Sequence, residues 1–517
     1  MEEDFEDIML DNLVIKDKEY YRRRKKKILL ISLLILFIII IIIIVIIIIL
    51  KRKGGKIICI YKTIKDNERI HIINTNNDID FALYVDDKSY NQNNYHIFEK
   101  AGLHKVVFHF KKKLESLESF FENLDNLIEI DFSQLETEYI KSMANILQNC
   151  QNLTKVNFDN ITPNLEDISC MFKESYYLLE AHLNFDTNKV KNMDWMFYYN
   201  DELTSLDLSN FDLENLESAE YMFGFCTKLE NIIFKNGTKT KNLKYIYYMF
   251  YHCESLKNIN TEIFRTNKIS SLFQVFQGCY SLESIDMSIF DFSNVDSIQN
   301  IFSDCINLKR INLLNINTSK LTTTENAFSN CQSLTSLDIS FLDFNNVTSL
   351  EHMFADCINL KNISLPKIHT LSNAESMFKN CNNLNSIYLN FFDSNYNGAN
   401  FKEMFKNCTK LKKVKIENEE ECHISEAKEM FSGCINLISI DLKNLNAKVR
   451  YDISMMFYNC KNLETLDIYN LNTLEITTNS TDVFLGVPSN VKLVYNTNIT
   501  HDCIKGQIQE LFSNSFL

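Results

Sequence analysis

Cysteine is the residue type here whose spacing most invites chemistry. Eleven of the fifteen cysteines (Cys150, Cys226, Cys253, Cys279, Cys305, Cys331, Cys357, Cys381, Cys408, Cys434 and Cys460) recur at intervals close to 26 residues or a multiple of it. No C-x-x-C and no zinc spacing occurs, so metal and dithiol chemistry find no pattern to stand on. Where the phrase lacks Cys it carries Leu124, Ser175, Asn200 or Val487 at the same place. A packing slot permits such exchange, and small, apolar Cys is among the most often buried residues. The primary expectation is therefore buried free thiols. Adjacent slots would lie about 5 Å apart, near bridging distance, so inter-coil disulfides are the alternative. Cys59, Cys170, Cys422 and Cys503 stand outside the slot, and the sequence does not pair them.

Two acidic features are the other candidates. Glu417, Glu419, Glu420, Glu421, Cys422 and His423 crowd one stretch as a cation site would, but a solvated acidic loop accounts for them. Asp131, Asn157, Asp207, Asn260, Asp286, Asn312, Asp338, Asp441 and Asp467 recur at one point of the repeat, at the centre of a predicted strand and facing away from the core. This row is the candidate ligand-facing surface, able to gather cations or basic groups of a partner, or simply to keep an open sheet face soluble. His182, Ile233, Ser364, Tyr388, Lys415 and Val494 interrupt it. The ten histidines form no H-E-x-x-H, and G-x-S-x-G, P-loop and dinucleotide fingerprints are absent. No catalytic, metal or cofactor site is expected, and the carboxylates follow the repeat rather than a unique glycosidase-like pair.

The elements that position these residues are copies of one another. Phe121, Leu147, Phe172, Phe197, Phe223, Phe250, Phe276, Phe302, Phe328, Phe354, Phe378, Phe405, Phe431, Phe457 and Phe484 mark fifteen units, stepping by 24 to 27 residues. A unit this short cannot bury its own apolar face, so stacking into a solenoid is required. In residues 203–229, Leu206 and Leu208 flank Asp207 with the period of a strand, and Leu216, Ala219, Met222, Phe223 and Cys226 follow at three- and four-residue spacing. The fold expected is an α/β solenoid with a parallel sheet on one face and a short helix in each of fifteen coils. With 10 Gly and 3 Pro in 517 residues, Asn and Asp must make most of the turns.

Residues 290–308 (FDFSNVDSIQNIFSDCINL), 341–360 (FLDFNNVTSLEHMFADCINL) and 184–197 (NFDTNKVKNMDWMF) carry a further signal. They resemble the BspA-like leucine-rich repeats of microbial surface proteins, over roughly residues 115–495. The resemblance implies an exposed solenoid that binds host, matrix or neighbouring-cell ligands, and no enzyme activity. The ladder position usually filled by Asn in leucine-rich repeats is apolar at Phe211, Phe290, Leu342, Leu445 and Leu471, so that edge is expected to close by packing.

Ile28 to Leu50 is a run of 23 residues without a charge, about 34 Å as a helix and enough to cross a membrane. It is too long for a cleaved signal peptide and reads as a signal anchor. Six basic residues precede it (Arg22 to Lys27), whereas Lys51, Arg52, Lys53 and Lys56 follow, which places the N-terminus in the cytoplasm. The expected order is a tail (1–27), a transmembrane helix (28–50), a linker (51–56), a β-rich cap (57–114), the solenoid (115–495) and a C-terminal cap (496–517) with a helix over 504–512. Residues 1–56 hold 12 Lys+Arg and 8 Asp+Glu. Subtraction from the totals of 53 and 67 leaves 41 and 59 beyond them, a net of −18. An acidic body repels phosphate backbones, so nucleic acid is excluded as a partner. The expectation is a plasma-membrane protein that displays its solenoid outside the cell and binds protein or glycan ligands. An intracellular, membrane-tethered scaffold is the alternative.

Overall fold

The computed structural model describes residues 22–44, 54–74, 79–235, 237–238, 240–390, 398–417, 422–442, 447–476 and 480–513. It is a β-solenoid of about thirteen turns preceded by an apolar helix, Arg22–Ile44. Thirteen phenylalanines, from Phe172 to Phe484, form an unbroken column along the axis. Their ring centroids lie 5.3 to 5.8 Å apart, with neighbouring planes within about 20° of parallel. Fifteen anchor positions were expected to act alike. The first two differ: Leu147 carries no ring, and Phe121 packs edge-on against Phe108 and Phe120.

One coil shows how the sequence closes on itself. Ser205–Leu208 is a short strand that buries Leu206 and Leu208 and pairs in parallel with Asn231–Phe234 of the next coil. Phe211, Leu213 and Leu216 line the next side, and Ser218 forms single bridges to Asn192 and Tyr245. The sheet is therefore not one continuous surface. Among the described residues it breaks into two-stranded pieces in the middle of the solenoid, and a five-stranded parallel sheet runs from Ser386–Asn390 to Lys492–Val494.

Among the described residues the expected helix is absent from the coils, although its apolar residues are buried. Residues 219–226 form consecutive turns whose amides alternate in direction. Gly224 and Cys226 donate back within the coil to Tyr221 and Phe223, whereas Ala219, Tyr221, Phe223 and Phe225 donate to Tyr245, Tyr247, Met249 and Tyr251 of the next coil. Left-handed backbone at Tyr221 and Phe225 produces the alternation, and it recurs two residues either side of nearly every anchor. The physical reason is spacing. Packed helices need about 8–10 Å between axes, but strands repeat at about 4.8 Å. Turns fit the tighter repeat and spend half their amides on holding coils together.

The cysteine slot is buried and its thiols are free. Each of the eleven lies 2.9 to 3.3 Å from the anchor carbonyl of the preceding coil, which it reaches through Sγ. The same type of carbonyl also accepts a cysteine N–H from its own coil, as Phe223 does from Cys226. The slot thus wants a small side chain that can donate. Ser175 and Asn200 satisfy it through Oγ (2.8 Å) and Nδ2 (2.9 Å), whereas Leu124 sits in the first coil. Burial pushes these thiols up, to about 12 at Cys226 and Cys357, so the thiolate needed for reaction is scarce. Cys357→Ser is expected to leave stability within about 1 kcal/mol, whereas Cys357→Val removes one of the two hydrogen bonds at the Phe328 carbonyl, which keeps that of the Cys331 N–H, and costs about 0.5–1.5 kcal/mol. Asn200 Oδ1 is buried without a partner, so Asn200→Cys should stabilise by about 1 kcal/mol. Urea unfolding of the three variants checks all three values.

Phe211, Phe290, Leu342 and Leu471 are buried as the packed-edge expectation requires, and Leu445 lies outside the described residues. Amide ladders nevertheless exist at other positions. Asn152, Asn307, Asn359, Asn383 and Asn436 donate through Nδ2 to carbonyls of the preceding coil at 2.8–2.9 Å.

Both ends are covered. Gly55–Thr63 pairs antiparallel with Leu127–Asp131 of the first coil and, on its other side, with Gly102–Phe110. Tyr61 is fully buried there and donates its hydroxyl to the Ile72 carbonyl at 2.6 Å. Gly54, Gly55 and Lys56, expected in a linker, are built into this seam: Gly54 N–H donates to Phe110 O and Lys56 N–H to Gln134 O. At the far end, Asp502–Ser513 is helical and buries Ile504 and Ile508. Its Gln507 serves the last coil, accepting from Val483 N–H at 2.8 Å and donating to Ser480 O at 2.7 Å.

Candidate functional surfaces

The structure gives the Asp/Asn row a local task. Strand-end carbonyl and amide groups need partners where the chain leaves the sheet, and an Asp or Asn side chain can bond two residues ahead. Asp131, Asn157, Asp207, Asp286, Asn312, Asp338 and Asp467 all do so, accepting from the N–H of Ser133, Asp159, Ser209, Ser288, Leu314, Ser340 and Tyr469 at 2.8–3.2 Å. Asn260 does the same toward Glu262, but it caps a short 3-10 turn, Thr261–Phe264, instead of lying on a strand. Hydrogen bonds from Ser209, Ser288 and Ser340 hold the carboxyls of Asp207, Asp286 and Asp338 below the usual range.

Register brings only parts of the row together. Asp131 stands beside Asn157, Asp286 beside Asn312, and Asp441 beside Asp467. Asn312 Nδ2 donates to Asp286 Oδ1 at 2.9 Å, which ties that pair to itself. The interrupting residues fall in the same file: His182 beside Asn157, Ile233 beside Asp207, Ser364 beside Asp338, and Tyr388, Lys415 and Val494 in the five-stranded sheet. Residues 418–421 of the acidic stretch lie outside the described residues. Among the described residues no group of three or more His, Cys, Asp or Glu is arranged to hold a metal ion.

A second surface, on the turn side, is not foreseen by the repeat consensus. The left-handed positions there should favour Gly, Asn or Asp, and Asn330, Asp356, Asn380, Asn407, Gly433 and Asn459 conform. Between residues 195 and 252 they are instead Trp195, Tyr199, Tyr221, Phe225, Tyr248 and His252. Rings at equivalent positions stack from coil to coil: Trp195 on Tyr221 at 4.0 Å, Tyr221 on Tyr248 at 4.2 Å, and Tyr199 on Phe225 at 4.4 Å. Tyr198 and Tyr251 stand perpendicular between the two files. Gly224 makes this possible, because a Cβ there would lie 3.0 Å from the Tyr198 ring. Left-handed backbone at a bulky residue costs about 1–3 kcal/mol, and six ring-bearing residues bear it in this stretch, as Gln274, His352, Glu403, Glu429 and Met455 do elsewhere.

Every one of these rings is half-buried. Carboxylates border them. Burial holds the carboxyls of Asp194, Asp201 and Glu220 above their ordinary range, and Asp194 adds to the effect at Glu220. Burial, reinforced by neighbouring tyrosines and Glu174, pushes the Tyr198 hydroxyl up to about 12. Lys173 places Nζ 5.0 Å from the Trp195 ring centroid and 6.0 Å from that of Tyr198. The sequence signal for this surface was the clustering of aromatic residues two positions after the anchor, a place otherwise given mostly to Asn, Asp and Gly, and two positions before it, a place otherwise held by mostly polar residues.

A family model described as "Mycoplasma protein of unknown function, DUF285" matches five stretches: 95–179, 113–235, 141–264, 270–392 and 399–486. The chain belongs to this family. Among curated proteins none matches it. Three solved structures are similar to this DUF285 chain. TLR13 in the TLR13–ssRNA13 complex is 15% identical, over 67% of this chain and 58% of that one, with a TM-score of 0.26. The plant peptide hormone receptor RGFR1, in complex with RGF2, is 15% identical over 72% and 75%, TM-score 0.23. A leucine-rich repeat protein from Eubacterium ventriosum is 16% identical over 68% and 86%, TM-score 0.31. The chain thus spans little more than half the length of the first.

Further along the turn side, the same positions of this DUF285 solenoid hold ion pairs. Glu403 accepts from Lys379 at 2.6 Å and Lys406 at 3.0 Å, and Lys406 also reaches Glu429 at 2.6 Å. Burial raises the Glu403 carboxyl, but hydrogen bonds from both lysines outweigh it and hold the group down at about 2. A carboxyl depressed in the folded state stabilises above its unfolded value near 4.5 and loses that contribution as pH falls toward 2. Glu403→Gln should therefore cost about 1–2 kcal/mol at neutral pH, after allowance for water around the lysines, and nothing near pH 2. Thermal melts of both chains between pH 7 and pH 2 test the convergence.

Proposed function

We infer that this protein is a membrane-anchored surface protein whose solenoid recognises protein or glycan ligands, in the manner of the BspA-like repeats its phrases resemble. The observation that carries the reading is the extended repeat surface itself. A single column of buried rings organises hundreds of residues into a wall, and walls of this kind present long faces to partners. The exposed apolar helix, Arg22–Ile44, supports the anchor, since nothing in the described chain covers its Ile and Leu side chains and it is long and apolar enough for a membrane span or a signal sequence. The Asp/Asn row, with Asp207, Asp286 and Asp338 exposed, is the polar part of the recognition surface.

Labelling of intact cells with an antibody to residues 115–495 tests the reading together with the binding of those cells to protein- or glycan-coated surfaces. Labelling without permeabilisation is the expected result. A second reading, an intracellular scaffold tethered to the membrane, draws on one observation: the eleven slot cysteines, Cys59, Cys170 and Cys503 are free, as a reducing compartment permits. Labelling only after permeabilisation would establish it.

A further inference from the structure

We propose that the aromatic and acidic patch around Trp195, Tyr198, Tyr221, Tyr248 and Tyr251 is a binding site for an arginine- or lysine-bearing extended segment of a protein partner. The proposal rests on the recognition reading above and names the place and the partner's chemistry.

Three observations select this occupant. The first is charge. Asp194, Asp201 and Glu220 make no ion pair among the described residues, although all three are partly withdrawn from water. Asp194 accepts only from the Ser218 hydroxyl (2.5 Å) and the Glu220 amide (2.7 Å). Elsewhere on the same side of the solenoid Glu375, at the position equivalent to Asp194 and Glu220, is matched by Lys402, and Glu403, at the position equivalent to Trp195, by Lys379 and Lys406, whereas Glu325 makes no ion pair among the described residues. At the positions that hold Lys379 and Lys406 further along, the patch carries the rings of Tyr198 and Tyr251, while its nearby lysines Lys173 and Lys228 pair with Glu174 and Glu202.

The second is that the surface already receives a cation. Lys173 sits over the outer end of the Trp195 file, within the range at which an ammonium is attracted by a ring face. An arginine is better suited than lysine to the remainder, because its planar guanidinium presents five donors in a fixed fork that can serve a carboxylate and a tyrosine hydroxyl at the same time.

The third concerns the competing occupant. A sugar packs its flat side on an exposed ring face, but the inner faces of Trp195, Tyr221 and Tyr248 are taken by each other at 4.0 and 4.2 Å, and Phe273 meets Tyr248 edge-on at 5.2 Å. The groups left for an occupant of the patch include the carboxylates of Asp194, Asp201 and Glu220, which call for a donor-rich, positively charged partner. Tyr, Trp and Arg are also the residues in which binding energy concentrates at protein interfaces.

Trp195 is the only tryptophan of the chain and reports on the patch directly. The full chain in detergent micelles is titrated with a peptide of alternating arginine and serine, and Trp195 fluorescence is followed. A saturable change is expected, weakened about tenfold or more in Tyr198→Ala/Tyr251→Ala and several-fold in Asp194→Asn/Glu220→Gln. The second double variant is near-isosteric, and each variant's fold is checked by circular dichroism. Screening by about 0.5 M salt should weaken the response further. An absent response up to about 1 mM peptide in a folded chain, an equal response in all variants, or a response to neutral oligosaccharides in place of the peptide would overturn the site. If the site fails while intact cells still label and bind, only this proposal falls. If labelling and binding fail as well, the recognition reading falls with it.

Discussion

Phe354→Ala is expected to destabilise the solenoid by about 3–5 kcal/mol and to split its unfolding into two transitions. Phe354 is fully buried, and its ring lies 5.4 Å from Phe328 and 5.6 Å from Phe378, so removing it opens a gap in a column rather than a dent in a wall. The surrounding coils cannot collapse into that gap. Backbone bonds from Phe328 to Met353 and from Phe354 to Met377 fix their spacing. In a quasi-one-dimensional fold, stability is the sum of coil and interface contributions, and one weak interface uncouples the two sides. Urea unfolding followed by circular dichroism and by Trp195 fluorescence distinguishes the outcomes, because Trp195 reports only the N-terminal side. Coincident curves in the variant would show that cooperativity does not pass through the ring column.

Gly55→Ala is expected to cost about 2–4 kcal/mol and to release the N-terminal cap from the first coils. Gly55 has φ of +78°, and a Cβ there would lie 2.5 Å from Gln134 O, 2.6 Å from Glu136 N and 2.9 Å from Leu135 Cα. All three are backbone atoms, so no side chain can swing aside. The left-handed conformation adds its own penalty for any residue with a Cβ. The displaced segment includes the Lys56 N–H bond to Gln134 O and the Glu136 N–H bond to Gly54 O, which join cap to coil. Hydrogen exchange should show faster exchange over Gly55–Thr63 and Leu127–Asp131, with protection around the central coils unchanged. Unchanged exchange at the seam would contradict the argument.

Legibility in the sequence followed a physical line. Residues that pack in columns were readable, because each coil repeats the requirement: the phenylalanines from 172 to 484 and the cysteines stand where their spacing places them, buried and in file. The Asp/Asn row was readable as a row, though not in its task. A side chain that accepts from the amide two residues on leaves no mark distinguishing it from one that faces a ligand. The aromatic patch was hidden because it breaks the consensus instead of following it: Trp195 and Tyr199 are separated by one turn of chain, but Trp195 and Tyr221 meet only when consecutive coils are laid side by side.

The amino-acid sequence by itself determined the repeat length, the side chains that face inward and the need for a cover at each end. Short units of apolar residues admit no other way to escape water. Tertiary structure alone decided whether the second half of each coil is helix or turn, since three- and four-residue spacing serves both. The choice fell to the distance between coils, too small for a helix, and that same distance brought the rings of neighbouring coils into contact and built the patch.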